Sequence, residues 1–216
     1  MFLNKFIISF AIIIATIGGA FAQNAKPDNP AMRYYIGARA QYSLASFSQD
    51  IRGYMEPGNV DKMYFSSVPQ FGFDATAGWQ FAPKWRAELN YGYAGRNVMG
   101  NKKYMSWQVQ TQYLMANALF TAWQQDLFSV YVGGGLGAAF LGTRLSGTPF
   151  DFERDRARPA VQAIFGIQQE ITKNIILDAQ FRSLYNGGFS ERIGPDTAKT
   201  NNMLTNSLMV GVRIGF

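Results

Sequence analysis

Apolar and polar residues alternate with a period of two over stretches of about ten residues, and this pattern limits what the chain can fold into. Residues 70–81 give the clearest case. One set of alternate positions holds Phe71, Phe73, Ala75, Ala77, Trp79 and Phe81. The other set holds Gln70, Gly72, Asp74, Thr76, Gly78 and Gln80. Because successive side chains of a β-strand point to opposite faces, the pattern predicts a strand with one apolar and one polar face.

The same alternation recurs along the chain, near residues 33–44, 85–93, 128–140, 161–171, 175–185 and 207–216. Another segment, near residues 108–120, is less regular. Its glutamines at positions 108, 110 and 112 share a parity with Leu114, Ala116, Ala118 and Phe120. We therefore predict a β-bulge near Tyr113 that exchanges the two faces of this strand. In total the pattern gives eight strands.

Connector lengths alternate as well. Short turns near residues 82–84, 124–126 and 172–174 separate four longer segments, which we predict to be loops, near residues 47–68, 94–105, 142–158 and 186–204. Short turns on one side and long loops on the other are typical of membrane-spanning β-barrels. Three short and four long connectors again give eight strands, with both chain ends on the side of the short turns.

The composition suits a barrel that faces lipid. Hydrophobic residues make up 48% of the chain and charged residues only 16%, against a typical quarter. After residue 22 the sequence has no apolar run of about 18 residues, the length that a membrane-spanning helix needs. Aromatic residues gather near both ends of the strands, as in interfacial girdles. We predict an all-β fold, an eight-stranded antiparallel up-and-down transmembrane β-barrel.

The alternative with the same alternation is a soluble, lipocalin-like barrel that buries its apolar face. Its outer surface would then consist mainly of Gly, Gln, Asp and Thr with almost no Lys, which is a poor surface for a soluble protein.

The N-terminal segment has the pattern of a signal peptide. Lys5 precedes an apolar run over residues 6–17, and Ala20-Phe21-Ala22 provides a small-x-small cleavage pattern. We predict a signal peptide over residues 1–22, a periplasmic linker over 23–31 and the barrel over 32–216. The alternative is a retained N-terminal anchor helix.

Two segments resemble known outer-membrane proteins. The terminal sequence Gly211-Val212-Arg213-Ile214-Gly215-Phe216 resembles the C-terminal strand signal that bacterial assembly machinery reads, with Phe216 at its end. The glycine-rich sequence of residues 131–137 resembles the fifth strand of opacity-protein and OmpA-type barrels. The resemblance covers residues 32–216. It implies the outer membrane of a Gram-negative bacterium, with membrane lipid, lipopolysaccharide and the barrel assembly machinery as partners.

Several function classes are disfavoured. The chain has no Cys and no His, so it lacks the usual general base and the commonest metal ligands. The enzyme families known on small outer-membrane barrels resemble one another in relying on a catalytic His, which this chain lacks. We therefore predict that the protein is not an enzyme and that it holds no metal and no cofactor. Acid–base work by Asp74 and Glu88 is the remaining catalytic alternative. The pI near 9.5 comes from dispersed basic residues, which disfavours nucleic acid binding.

The predicted inner face carries charges of both signs. Beside Arg33 and Glu170, it holds a predicted lumen network of Arg39, Asp74, Arg86, Glu88, Asp178, Arg182 and Arg213. Unpaired charges in a low-dielectric interior cost several kcal/mol each, so we expect these groups to pair and fill the lumen. The alternative is a narrow solute path lined by the same groups.

The loops are the other candidate site. Arg96, Lys102 and Lys103 form the most basic loop, and we predict that they contact lipopolysaccharide phosphates by charge-assisted hydrogen bonds. The loop near residues 144–158 mixes both signs. Binding of a host or environmental surface ligand, as by an adhesin or surface antigen, is a second hypothesis, and solvated charge without a partner is a third.

Overall fold

The computed structural model describes residues 34–52, 60–99, 106–147, 150–193, 196–200 and 202–216. The predicted signal peptide and linker, residues 1–22 and 23–31, lie outside these ranges. Ten strands are present within them: β1 (Tyr34–Arg52), β2 (Val60–Ala82), β3 (Trp85–Met99), β4 (Ser106–Gln125), β5 (Phe128–Gly147), β6 (Phe150–Thr172), β7 (Ile175–Asn186), β8 (Phe189–Ile193), β9 (Asp196–Thr200) and β10 (Met203–Gly215). In this part of the chain no helix is long and apolar enough to cross a membrane.

Eight of these strands close into the predicted barrel. Strands β1 to β7 and β10 pair antiparallel in chain order, and β10 pairs with β1 from Tyr35–Gly215 to Ser46–Leu204 to complete the ring. Strands β8 and β9 form an additional hairpin, and β9 pairs with the outer part of β1. The eight-stranded, all-antiparallel barrel is therefore confirmed.

The two faces of the wall differ as the alternation predicts. Apolar side chains point outward, and Phe71 is 73% and Leu136 69% exposed. Outward aromatic rings lie near both strand ends, including the contacts Trp85–Phe120 and Tyr42–Phe71, each with ring centroids 5.0 Å apart. Polar and charged side chains point inward and are buried. This inside-out distribution suits a barrel surrounded by hydrocarbon.

The three short connections are tight turns at Pro83–Lys84, Asp126–Leu127 and Lys173–Asn174. The strand register shifts beside each of them, between Gln80 and Ala82, Thr121 and Trp123, and Glu170 and Thr172. These shifts are β-bulges, which increase the local twist next to the turn.

The predicted bulge near Tyr113 is wrong. Strand β4 pairs with β5 without a shift from Ser106 to Thr121, and Tyr113 is buried on the inner face. Gln112 lies on the outer face, where it accepts a hydrogen bond of 3.0 Å from the Tyr91 hydroxyl. The polar residues of β4 that have outward parity therefore belong to the same outer face as the apolar ones, farther along toward the longer hairpins. The strand needs no exchange of faces.

The predicted long loops are also wrong in extent. Most of residues 47–68 form the outer parts of β1 and β2, which pair as far as Arg52–Val60. Most of residues 142–158 form the outer parts of β5 and β6, which pair as far as Gly147–Phe150. Strand β3 extends to Met99, and β8 and β9 occupy part of residues 186–204. Pairing satisfies the backbone N–H and C=O groups of these segments, which unstructured loops would leave to water.

Beyond the outer aromatic residues, the strands no longer form a closed ring, because pairing stops between two pairs of neighbouring strands. Pairing between β2 and β3 ends at Gly72–Ala94, and pairing between β6 and β7 ends at Ala160–Asn186. The outer parts of β3 to β6 remain paired with one another, as do those of β8, β9, β1 and β2. The barrel thus carries two groups of paired strands above its closed wall.

Inside the wall, large side chains lie across glycines of the neighbouring strand. Tyr113 faces Gly92 directly, and a Cβ atom built on Gly92 would lie 1.8 Å from Tyr113 Cζ. An eight-stranded barrel is only just wide enough for its own side chains, so a large group needs a glycine beside it. The same relation holds for Tyr35 and Gly78, Tyr131 and Gly166, Arg39 and Gly211, and Arg213 and Gly37.

Candidate functional site in the barrel lumen

Arg39 lies at the centre of the lumen and contacts three carboxylates from three strands. Its Nη1 is 2.9 Å from Asp74 Oδ1, its Nε is 2.9 Å from Asp178 Oδ1, and its Nη2 is 3.4 Å from Glu88 Oε2. Strand pairing explains two of these contacts. Arg39 is directly opposite Asp74, and only Gly211 separates it from Asp178 along the same row.

Two further arginines connect the carboxylates on the side of the short turns. Arg213 places Nη2 2.9 Å from Asp178 Oδ2 and Nη1 3.8 Å from Glu88 Oε1. Arg86 Nε is 3.4 Å from the same Glu88 oxygen. Both guanidinium groups also donate hydrogen bonds to Gln168 Oε1. Glu88 is thus shared among three arginines.

On the side of the longer hairpins, Arg182 completes the network. Its Nη1 is 3.4 Å from Asp74 Oδ2, and its Nη2 donates a hydrogen bond of 3.0 Å to Gln41 Oε1. Asn90 donates a further hydrogen bond of 3.0 Å to Asp74 Oδ1. Asp74 therefore binds two arginines and an amide.

Each carboxylate also has a tyrosine hydroxyl as a partner. Tyr35 donates to Glu88 Oε1 at 2.7 Å, and Tyr131 donates to Asp178 Oδ2 at 2.9 Å. The Tyr113 hydroxyl lies 3.1 Å from Asp74 Oδ2 and 2.7 Å from Gln41 Oε1. These bonds fix each carboxylate in position beside its arginines, because hydrogen bonds to charged groups are stronger than neutral ones.

The same rings interact with the arginines through their faces. The guanidinium carbon of Arg182 is 4.0 Å from the ring centroid of Tyr113, and that of Arg86 is 4.1 Å from the centroid of Tyr131. Arg213 lies 5.2 Å from the centroid of Tyr35. All are within the range of cation–π attraction. Three glycine–tyrosine–arginine stacks therefore line the lumen.

Buried apolar side chains accompany this polar network. At the level of the network lies a buried cluster of Leu119, Tyr131 and Ile164, in which Leu119 is opposite Arg86 and Ile164 is opposite Arg182 in the strand pairs. Toward the longer hairpins lies a second buried cluster of Ala45, Phe47, Val68, Leu141 and Met203. Every member has the inward parity of its strand, so apolar side chains fill the lumen beside the network and on its side toward the longer hairpins.

The charge balance of the network has a chemical consequence. Four buried arginines face three buried carboxylates, so the network as described carries one excess positive charge. Each carboxylate is already bound by arginines and a tyrosine. Within the described ranges, no group of three or more His, Cys, Asp or Glu side chains is arranged to hold a metal ion. The arrangement is suited to structural ion pairing.

The predicted lumen residues come together as one network, namely Arg39, Asp74, Arg86, Glu88, Asp178, Arg182 and Arg213. Two other residues expected on the inner face do not join it. Glu170 is half-buried beside a short turn, with its N–H donating to Leu127 O at 2.9 Å. Arg33 lies outside the described residues.

The remaining predicted site residues lie at the two ends of the wall. Arg96 belongs to β3 rather than to a loop, at a bulge where two residues face Gln110, and Lys102 and Lys103 lie outside the described residues. Phe216 is 74% exposed at the end of the closing strand, and its N–H donates to Tyr34 O at 3.0 Å.

The alternation of residues 128–140 gives Tyr131 the inward parity, but the sequence predicted no lumen contact for Tyr35, Tyr113 or Tyr131. A usable signal was present. Each of these tyrosines has the inward parity of its strand, and each faces an inward glycine on a neighbouring strand. The strands of each pair are joined by one of the longer connectors, so parity places ring and glycine on the same face, whereas their register comes from the structure.

Comparison with known proteins places this architecture in a family. The family model described as "Outer membrane protein beta-barrel domain" matches residues 12–216. A comparison with curated proteins gives no significant match.

Solved structures agree on the fold. Neisserial surface protein A is 20% identical with a TM-score of 0.59, over 85% of this chain and 97% of its own. The outer membrane protein AlkL in lipid bilayers is 14% identical with a TM-score of 0.50, over 89% and 94%. At these identities the likeness concerns the fold alone. The family match and the closed wall lead to one conclusion: the chain belongs to the outer membrane protein β-barrel domain family.

Proposed function

We propose that this protein is a closed outer-membrane scaffold that presents its outer hairpins at the cell surface, in a structural or surface-interaction role. The observation that carries the proposal is the position of Arg39. Its guanidinium group joins carboxylates from β2, β3 and β7 across the interior, so ion pairs span the lumen in several directions.

Two further features support a closed lumen. Buried apolar side chains fill the lumen beside the ionic network and on its side toward the longer hairpins, and a solute would have to pass both groups. Removal of one partner from a buried ion pair typically costs 3–5 kcal/mol, so opening the network against its contacts is expensive.

The outer hairpins support the surface role. Strands β1 and β2, and β5 and β6, stay paired well beyond the outer aromatic residues. Binding residues are commonly found on segments held by a rigid scaffold, and these hairpins extend directly from the barrel wall. The structural neighbour of TM-score 0.59 is itself described as a surface protein.

Two partners are proposed for the outer segments of the barrel, including the one that joins β3 to β4. One is lipopolysaccharide, with Arg96, Lys102 and Lys103 as donors to its phosphates. The other is a host or environmental surface ligand. Binding of lipopolysaccharide to the purified barrel separates them, because replacing the three basic residues with Gln abolishes phosphate contacts but leaves an unrelated ligand bound elsewhere.

Planar-bilayer recording tests the closed lumen. We expect no reproducible conductance from the folded protein at moderate voltage. A stable conductance that changes in size with Arg86→Gln or Arg182→Gln would show that ions pass beside these groups, and the protein would then be a narrow channel.

A cell-surface pull-down tests the interaction role. Intact cells that display the full protein are compared with cells displaying a variant in which residues 49–65 and 143–155 are each replaced by a short turn. A partner retained only by the full protein supports the proposal. Equal recovery from both would move the interaction to the β3–β4 segment or the β8–β9 hairpin, and recovery of no partner would leave only the structural role.

A further inference from the structure

The lipid-facing surface has a depression where β2, β3 and β4 meet. Its volume is about 410 Å³, within the usual range of small-molecule sites. Three of its lining residues, Gly78, Glu88 and Asn117, have the inward parity of their strands, so they meet it through the backbone. The outward residues that line it are Ala77, Trp79, Ala87, Leu89 and Ala116.

Strand register explains why the surface is concave there. Ala77, Leu89 and Ala116 form one outward row across the three strands, and Trp79 and Ala87 belong to the next row. Alanine projects much less than the surrounding Trp, Leu and Phe side chains, so the wall is thinnest between larger neighbours. On the side of the short turns, Trp85 and Phe120 occupy the following outward row, with ring centroids 5.0 Å apart.

Its position in the membrane determines what can occupy it. Ala87 is two residues along β3 from Trp85, which corresponds to about 7 Å of strand. The end of the depression at Ala87 therefore lies in the half of the bilayer next to the short turns, which is the periplasmic leaflet in the usual orientation of such barrels. Its surroundings are apolar, so its occupant is hydrocarbon.

A positive charge lies at the end of the depression that is nearest the phospholipid headgroups. Lys84 is exposed in the Pro83–Lys84 turn that joins β2 to β3, immediately before Trp85. The turn is held in place, since Lys84 O accepts a hydrogen bond of 2.8 Å from Thr121 N of β4. The lysine is thus tied to the same three strands that form the depression.

We propose that this depression binds one acyl chain of an anionic phospholipid of the periplasmic leaflet, with Lys84 at the lipid phosphate. The apolar concavity accounts for the chain and the lysine for the headgroup charge. One basic residue near a membrane surface favours an anionic lipid by about fivefold. The next short turn along the barrel carries Asp126 instead, so its surroundings lack this preference.

Tryptophan fluorescence provides a local measurement. Trp79 lines the depression, whereas Trp123 lies beside the turn that carries Asp126. Two proteins are compared in vesicles, each keeping one of these tryptophans and with Phe at the other three tryptophan positions. The quenchers are phospholipids with brominated acyl chains, either phosphatidylglycerol or phosphatidylcholine. A comparison of the quenching by these two lipids reports which of them lies beside each ring.

We expect phosphatidylglycerol to be favoured about fivefold at Trp79 and not at Trp123. Lys84→Gln should remove the preference, whereas the matched change Lys173→Gln at another short turn should leave it. Ala87→Leu and Ala116→Leu fill the depression and should weaken quenching by both lipids, and Ala179→Leu on β7 serves as the control. Both leucines face lipid, so the variants are expected to fold.

Equal selectivity at both tryptophans, or a preference that survives Lys84→Gln, would overturn the proposed site. Loss of quenching by added lipid together with concentration-dependent association of barrels would instead make a second copy the occupant, and would likewise overturn it.

Discussion

Gly92→Ala tests whether tyrosine–glycine packing holds the lumen network together. The added Cβ would lie 1.8 Å from Tyr113 Cζ and 1.9 Å from its hydroxyl oxygen, far inside van der Waals contact. The Tyr113 ring must therefore leave its place against β3. The ring is 1% exposed and surrounded by other lumen residues, so its displacement disturbs contacts beyond Gly92 itself.

The expected cost follows from what the ring contacts. Overpacking alone typically costs about 1–3 kcal/mol. Displacement of the hydroxyl group from Asp74, now 3.1 Å away, removes a bond to a charged group of about 1.5–3 kcal/mol. The cation–π contact with Arg182 adds roughly 0.5–2 kcal/mol. Partial relaxation reduces this sum, and we expect a loss of about 3 kcal/mol in the free energy of unfolding.

The assay is reversible urea unfolding of the barrel in phospholipid vesicles, followed by tryptophan fluorescence. Gly134→Ala is the matched control, because Gly134 is an exposed glycine in β5 whose added Cβ meets only Gln162 O, at 3.3 Å. We expect that change to cost less than about 1 kcal/mol.

A double-mutant cycle identifies the cause. In a Tyr113→Ala background the collision no longer exists, so Gly92→Ala should then cost little. If Gly92→Ala proved as mild as Gly134→Ala, or if its cost were unchanged in the Tyr113→Ala background, the ring would not pack on this glycine as described.

Three further changes test other parts of the structure by the same unfolding measurement. Arg39→Met leaves three carboxylates without their shared cation and should cost about 3–5 kcal/mol; a cost below about 1 kcal/mol would contradict the central position of Arg39. Ala75→Arg places a charge on the exposed lipid face and should cost about 2–4 kcal/mol, whereas Ala75→Leu should be neutral. Ser67 has a left-handed φ of 57°. Ser67→Gly should therefore be neutral or slightly stabilising, whereas Ser67→Val should cost about 1–3 kcal/mol. Equal stability of the two variants would argue against this backbone conformation.

In the regular strands, parity alone was sufficient to predict which residues face the lumen. Arg39 and Asp74 each have the polar parity of a regular strand, and both are buried inside the barrel. Their partners could not be read in the same way. Arg39 reaches Asp178 across Gly211, and that contact depends on the register of the closing pair β10–β1, which joins residues about 170 positions apart.

The outer hairpins were misjudged for a physical reason. Segments such as residues 150–158 are rich in charge and end near a proline, features that usually indicate a loop. A hairpin that continues from a paired wall needs no apolar face, because its strands are already aligned by the barrel below. Backbone pairing then extends the strands past the point where the hydrophobic alternation ends.

The balance between ions and rings explains how so many charges remain inside a narrow barrel. An isolated buried ion pair is weak evidence for stability, since desolvation of the charges offsets their attraction. Here Asp74, Glu88 and Asp178 each accept a tyrosine hydroxyl in addition to arginine. Those tyrosines pack against glycines of the wall, so the network is attached to the backbone and not only to itself. The glycines are therefore as much a part of the ionic site as the arginines, and their loss should release the charges that they help to hold.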